Sequence, residues 1–146
     1  MTQIRAVALD VDGVLTDGTF WWGQHGEEFR RFSFVDVMGV SRGRRAGLVF
    51  ALITGEDVAQ IDRYAAKMGI NDVFKACRDK AAALRQFAAT RGFDLSEVAF
   101  MGDDVNDVPA MLIAGLAAAP ADAMDAAQQV AKIVTHRSER RGTVRE

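Results

Sequence analysis

Three short stretches set most of what this chain can become. Leu48-Val49-Phe50-Ala51-Leu52-Ile53 and Val98-Ala99-Phe100-Met101 carry no polar side chain, and Ile4-Arg5-Ala6-Val7-Ala8-Leu9 carries only Arg5. A strand with one face in water alternates apolar and polar residues. An unbroken apolar run reads instead as a strand buried on both faces, as in a parallel sheet covered by helices. Each run stops in a polar loop: Asp10-Val11-Asp12-Gly13, Thr54-Gly55 and Gly102-Asp103-Asp104. The segments between the runs read as helices. One spans Asp36 to Ala46 and stops at Gly47. A second is capped by Asp57 and runs to Met68 before Gly69. A third is capped by Asp79 and runs to Thr90 before Gly92. A short helix opens near Pro109, and an Ala-rich helix spans Ala121 to Val130. Shorter strands fall at Asp72–Phe74, Gly115–Ala118 and Ile133–Val134. Alternation of strand and helix predicts parallel βαβ units stacked as a three-layer α/β sandwich.

Residues 19–34 break the alternation. Thr19-Phe20-Trp21-Trp22 and Glu28-Phe29-Arg30-Arg31-Phe32-Ser33-Phe34 flank a Gly-bounded loop, the pattern of a β-hairpin arm. Its aromatics either pack on the body or meet another subunit. No linker or internal repeat divides the 146 residues, which read as one domain. The formal net charge is −2, with no basic block to mark a nucleic-acid footprint. No apolar run reaches transmembrane length, and no signal-peptide pattern opens the chain. Cys77 is the sole cysteine, so no internal disulfide forms, and a cytoplasmic home is expected.

The polar loops all sit where strands end. In an open α/β sheet the carboxyl ends of strands are where ligands bind. Asp10 and Asp12 crowd one such end, and two like charges ~4 Å apart repel by ~4 kcal/mol at an effective dielectric of ~20. A bound cation removes that cost, and so does solvation of an ordinary acidic turn. The parallel topology brings the Asp10/Asp12, Thr54-Gly55, Lys80 and Gly102–Asp107 sites toward one another. Their types suit phosphoryl transfer: hydroxyl, amide and ammonium donors for a phosphate, hard oxygens for Mg²⁺.

Asp10-Val11-Asp12-Gly13-Val14-Leu15-Thr16-Asp17-Gly18 also resembles the first motif of the haloacid dehalogenase (HAD) phosphohydrolases. Thr54-Gly55, Lys80 and Gly102-Asp103-Asp104-Val105-Asn106-Asp107 resemble the remaining motifs, in family order. The longer first motif, together with the Gly142-Thr143-Val144-Arg145-Glu146 tail, is similar to the branch acting on 3-deoxy-D-manno-octulosonate 8-phosphate and nonulosonate 9-phosphates. The resemblance implies a HAD-like Rossmannoid sheet and a set of roles. Asp10 is the nucleophile that forms an aspartyl-phosphate, and Asp12 is the general acid/base. Thr54, Gly55 and Lys80 hold the phosphate. Asp10, Asp103 and the Asp12 carbonyl hold Mg²⁺, with Asp104 and Asp107 as weaker ligands or supports.

Spacing from Asp12 to Thr54, and from Thr54 to Lys80, leaves no room for a cap domain. Capless relatives complete the site in a homotetramer, so a tetramer built through the arm is expected. Octulosonate-phosphate phosphatases carry Thr-Gly-Arg where this chain has Thr54-Gly55-Glu56. Glu56 and Lys67 instead match the nonulosonate pattern, although ~16 Å apart on one helix they cannot pair with each other. They read as specificity residues, or as a helix-start Glu and a helix-end Lys favoured by the macrodipole. The implied substrate is a phosphorylated 2-keto-3-deoxy sugar acid. Arg30, Arg42, Arg141 and Arg145 are candidates to grip its carboxylate. Two rivals are a receiver-type phospho-accepting domain and a HAD phosphatase of broad specificity. A receiver closes its first strand with the acidic pair and its middle strand with the phosphorylated Asp, an order this chain lacks.

Overall fold

The computed structural model describes residues 3–138 and 142–146. Six strands form one parallel sheet: β1 (Ala6–Leu9), β4 (Val49–Ile53), β5 (Asp72–Phe74), β6 (Val98–Met101), β7 (Leu116–Ala119) and β8 (Ile133–Val134). They lie in the order β5-β4-β1-β6-β7-β8. β1 therefore pairs with β4 on one side, Leu9 beside Leu52, and with β6 on the other, Leu9 beside Met101. The chain winds outward from β1 through β4 to β5, then crosses back to β6, so the order reverses at β1. The polar ends of β1, β4 and β6 sit together at that reversal, where open sheets form a crevice.

Successive side chains of each buried strand serve opposite layers. Leu9, Phe50, Leu52 and Met101 pack under α1 (Phe34–Arg45) and α2 (Ala59–Met68), with Val40, Ile61 and Met68. Ala6, Ala8, Ala51 and Ile53 face α3 (Lys80–Arg91), α4 (Val108–Ile113) and α5 (Asp125–Val130). The small alanines on that face leave room for Phe87 and Phe100, both fully buried. The expected three-layer α/β sandwich is the fold observed, with no cap domain.

Local differences from the expected elements have identifiable causes. Asp57 does not cap α2. Val58 occupies the cap position with no side-chain bond, because the Asp57 carboxylate pairs instead with Lys75 Nζ at 2.8 Å. The Ala-rich helix starts at Asp125, four residues later than its composition suggests. The Met124 amide is drawn to the Asp103 carbonyl at 2.8 Å, which holds that stretch as a turn. The Asp79 cap forms as expected, its carboxylate accepting from the Ala82 amide.

The arm consists of β2 (Thr16–Trp22) and β3 (Glu28–Phe32), antiparallel and paired apart from the main sheet. It ends sooner than expected, since Ser33 already caps α1 by accepting from the Val35 amide. Phe32 packs on the body with its ring 4.0 Å from that of Tyr64. Phe20, Trp21, Trp22 and Phe29 are half or more exposed, as are Phe34 and Met38 at the start of α1.

The tail docks on its own chain. Asp36, fully buried in α1, accepts the Arg145 amide at 3.1 Å. Gly39 makes this approach possible, since a Cβ there would lie 2.8 Å from the Arg145 Cα. The Thr143 and Thr135 hydroxyls meet at 2.7 Å, and the Glu146 carboxylate accepts the His136 and Arg137 amides. No helix among the described residues is long and apolar enough to cross a membrane.

Candidate active site

Asp10 follows β1 directly, with its amide bonded to the Met101 carbonyl at 3.0 Å, so it sits over the seam between β1 and β6. The neighbouring loop turns at Gly13, whose φ of +85° already favours glycine. A Cβ at Gly13 would lie 1.9 Å from Asp103 Oδ2. Glycine is thus what lets the loops after β1 and β6 close on each other.

Lys80 opens α3 immediately after the Asp79 cap. A cation at a helix N-terminus opposes the macrodipole, and this one is only 3% exposed. Two carboxylates hold it there: Asp10 Oδ1 at 2.8 Å and Asp107 Oδ1 at 2.6 Å. Burial alone would lower the Lys80 pKa, but Asp10 and Asp107 more than offset it and raise it. The other Asp107 oxygen accepts the amides of Asp103 and Asp104. Asp107 is fully buried, and it ties the loop after β6 to Lys80.

One oxygen from each of Asp10, Asp103 and Asp107 lies within 4.8 Å of the other two. Three carboxylates face a single ammonium here, so the cluster carries surplus negative charge. Burial first, then Asp107, push the Asp10 pKa up to about 7 despite Lys80. Burial, then Asp10 and Asp107, push Asp103 up to about 8. The donors are hard carboxylate oxygens with no His or Cys among them, a set that suits Mg²⁺. Both Asp107 oxygens are engaged within the protein, so the uncommitted carboxylate oxygens of the cluster belong to Asp10 and Asp103.

Asp12 lines the same cleft as Asp10. Thr16 Oγ1 donates to Asp12 Oδ1 at 3.1 Å, and Arg30 Nη1 faces Asp12 Oδ2 at 3.3 Å. Burial raises the Asp12 pKa, and Arg30 and Thr16 draw it partly back. A raised carboxyl is what a general acid requires. Thr54 follows β4 directly, is buried, and accepts the Glu56 amide through Oγ1 at 3.1 Å. The loop after β5 straps this turn down: the Cys77 and Ala76 amides donate to the carbonyls of Thr54 and Glu56. Ala76 adopts a φ of 53° to do so, alone among the described non-glycine residues in the left-handed region.

Asp10, Asp12, Thr54, Gly55, Glu56, Lys80, Asp103 and Asp104 line one open cleft of about 250 Å³, together with Gly18 and Asn106. Lys67 does not. It lies over the Phe34 ring, 4.9 Å from its centroid, and lines a separate pocket with Arg30, Phe32, Gln60, Arg63 and Tyr64. Glu56 precedes α2 rather than opening it, and its carboxylate pairs with Arg30 Nη2 at 3.1 Å. Arg42 and Arg145 line a cleft under α1 that shares no residue with this one. Arg141 lies outside the described residues. The contacts of Thr16 and Arg30 with Asp12 were not foreseen. Thr16 stands four residues after Asp12 within the first motif, a signal that could have found it, whereas nothing local marks Arg30.

A protein-family model described as haloacid dehalogenase-like hydrolase matches residues 39–146. The chain belongs to this family. The matched span contains Thr54, Lys80 and the Gly102–Asp107 loop, while Asp10, Asp12 and the arm precede it. Among curated relatives, 3-deoxy-D-manno-octulosonate 8-phosphate phosphatase KdsC of Salmonella typhi is 35% identical over 144 residues, covering 99% of this chain and 77% of that protein. Among solved structures, the Moraxella catarrhalis 3-deoxy-D-manno-octulosonate 8-phosphate phosphatase, in complex with magnesium ion, phosphate ion and KDO, superposes with a TM-score of 0.94 at 32% identity. It covers 97% of this chain and 82% of that one. The cobalt-bound Haemophilus influenzae enzyme gives a TM-score of 0.94 at 30% identity, over 98% and 84% of the two chains. Membership of this hydrolase family removes the receiver alternative.

The cluster carries a pH prediction. The ordinary Asp value is 3.8, against about 7 for Asp10 and about 8 for Asp103 in the folded protein. Between these limits the folded state binds more protons than the unfolded one, so stability falls as pH rises. Thermal melts in chelator should therefore decline from pH 5 to 8.5. Saturating Mg²⁺ should flatten the part above pH 7, because the metal replaces the protons. Asp36, raised to about 6 by burial and only partly drawn back by the Arg145 and Val144 amides, adds to the decline at lower pH in both buffers. Parallel profiles with and without Mg²⁺ would refute metal binding at these carboxylates.

Proposed function

We propose that this HAD hydrolase is a Mg²⁺-dependent phosphomonoesterase acting on a phosphorylated 2-keto-3-deoxy sugar acid: 3-deoxy-D-manno-octulosonate 8-phosphate or a nonulosonate 9-phosphate. The observation that carries it is the Lys80 ammonium fixed between Asp10 and Asp107 in a cleft shared with Asp12, Thr54 and Asp103. Asp10 attacks phosphorus, and the bond to the leaving oxygen breaks as Asp12 gives that oxygen its proton. Asp12, now ionised, takes a proton from the water that attacks the aspartyl-phosphate. Inorganic phosphate leaves and Asp10 is restored. The Thr54 hydroxyl and Gly55 amide hold phosphoryl oxygens, and Lys80 offsets charge between them and Asp10. Asp10, Asp103 and the Asp12 carbonyl would hold a magnesium ion, which would supply further neutralisation of phosphoryl charge. Asp104, at the cleft wall, and Asp107, beneath it, keep the loop after β6 in place.

The relatives support the octulosonate ester. Glu56 at the cleft wall, in place of the branch's Arg, supports the nonulosonate ester. Because none of Arg42, Arg145 and Lys67 reaches the cleft, contacts to the sugar acid come in part from a neighbouring subunit. We therefore propose a homotetramer, joined through the exposed aromatics of the arm and of α1. Light scattering at micromolar protein should give about four times 15.9 kDa, and a mass near one chain would refute it.

The substrate test is a set of kcat/KM ratios over octulosonate 8-phosphate, nonulosonate 9-phosphates and hexose 6-phosphates. Motif residues alone give some rate on any ester, so only ratios discriminate. One keto acid ester should exceed the hexose phosphates by at least about 10²-fold, well within the ~10⁴–10⁵ that a buried polar contact set can supply. Equal rates would establish the broad-specificity alternative.

A further inference from the structure

Arg30 belongs to the arm, yet its side chain is only 5% exposed and its guanidinium meets three carboxylates. Nη2 lies 2.9 Å from Glu28 Oε1 and 3.1 Å from Glu56 Oε2, while Nη1 lies 3.3 Å from Asp12 Oδ2. Two of these carboxylates, Asp12 and Glu56, line the cleft. Glu28 sits two residues before Arg30 on β3, and its backbone carbonyl accepts from the Gln60 side chain of α2. The arm is thereby pinned to the body at the level of Arg30.

Of the three contacts, only that with Glu56 is a hydrogen bond of proper geometry. Asp12 Oδ2 and Arg30 Nη1 are both buried, and neither makes a hydrogen bond of proper geometry. The Asp12 carboxyl is thus bonded at Oδ1 by Thr16 and faced at Oδ2 by a fixed charge. Such an arrangement sets the direction of the carboxyl without committing Oδ2 to a donor. The Arg30 charge already faces three carboxylates of its own chain, which leaves little of it for a substrate carboxylate as the sequence suggested.

We propose that Arg30 is a positioning residue that aims the Asp12 carboxyl at the leaving oxygen, with Glu56 and Glu28 fixing the guanidinium in place. The inference rests on the phosphatase function proposed above, in which Asp12 is the general acid. It assigns Glu56 a role toward Arg30 that does not depend on the substrate.

Leaving-group dependence tests it. A sugar alkoxide must be protonated as it departs, whereas p-nitrophenolate leaves unprotonated. The ratio kcat/KM reports only the steps through phosphoryl transfer to Asp10, so it isolates the acid role from the later attack by water. Arg30→Gln should lower kcat/KM about 10²-fold on octulosonate 8-phosphate and equally on hexose 6-phosphate, which bears no carboxylate. On p-nitrophenyl phosphate the loss should stay within about threefold. Asp12→Asn should show the same selectivity, more strongly. Arg30→Lys keeps a charge without the planar fork and should fall between wild type and Arg30→Gln. Glu56→Gln should give a smaller selective loss and be non-additive with Arg30→Gln.

Should Arg30→Gln fail to fold, Arg30→Lys and Glu56→Gln carry the same comparison. Equal loss on alkyl and aryl esters, or no loss on either, overturns the proposal. A KM increase confined to the carboxylate-bearing ester also overturns it and makes Arg30 a substrate-binding residue. In each of these cases a leaving-group-selective Asp12→Asn leaves the phosphatase function standing. A wild-type protein that hydrolyses no phosphate ester removes both.

Discussion

Asp10→Asn should lose turnover by about 10⁴-fold or more and fold at least as well as the wild type. The rate loss follows from chemistry. An amide oxygen cannot displace an alkoxide from phosphorus, and a covalent route without its nucleophile retains only what binding and charge neutralisation supply. The stability follows from electrostatics. Asp10 is 5% exposed, and burial together with Asp107 drives its pKa up to about 7. Its ionised form is therefore penalised in the metal-free protein above that pH, and asparagine has nearly the same volume without the charge. Lys80 keeps Asp107 as its partner at 2.6 Å. Steady-state hydrolysis of p-nitrophenyl phosphate and thermal melts in chelator at pH 8 check both halves. An asparagine variant within tenfold of wild-type rate would rule out Asp10 as nucleophile. A lower melting temperature would mean that the Asp10 charge supports the fold.

The parts of the fold that could be read in advance are those decided by local pattern. β1, β4 and β6 announce themselves because a strand buried on both faces has nowhere to put a polar residue. α3 does so because Asp79 and Gly92 bracket it. Each of these strands ends in the polar residues that the topology then gathers, and for this reason the cleft was legible too. The rest turns on contacts between residues far apart in sequence. Lys75 draws Asp57 away from the start of α2. The Asp103 carbonyl holds Met124 out of α5. Phe34, at the beginning of α1, takes Lys67 out of the cleft. Arg30 illustrates the limit most clearly. Its residue type and its place near the mouth suggested a substrate ligand, but three carboxylates from three separate segments had already engaged it. No local pattern encodes that competition.

Lys80→Met should be the most destabilising change in the cleft. Methionine matches the length of the stem, so packing around the stem is largely kept and the lost quantity is charge. Lys80 is 3% exposed and stands at a helix N-terminus, two conditions that each disfavour a cation. Its presence there is offset by Asp10 at 2.8 Å and Asp107 at 2.6 Å. Without it, Asp10, Asp103 and Asp107 face one another with no compensating ammonium. Removing one partner of a buried ion pair typically costs about 3–5 kcal/mol, because the remaining charges stay buried. The sign of the pH dependence follows. Near pH 5 both Asp10 and Asp103 lie below their folded-state values of about 7 and about 8, so both bind protons and the cluster carries little charge. At pH 8 Asp10 is ionised, and the cost of losing Lys80 is greatest. Urea unfolding in chelator should show the full loss at pH 8 and a smaller one at pH 5. Mg²⁺ at about 100 times its Kd should return about 2.7 kcal/mol at pH 8, by mass action on the folded state alone. It should not return the rate, since no ammonium then bridges Asp10 and the phosphoryl group. A loss under about 1 kcal/mol in chelator at pH 8, on the scale of an exposed ion pair, would show that the cluster is solvated and that Lys80 does not hold it together.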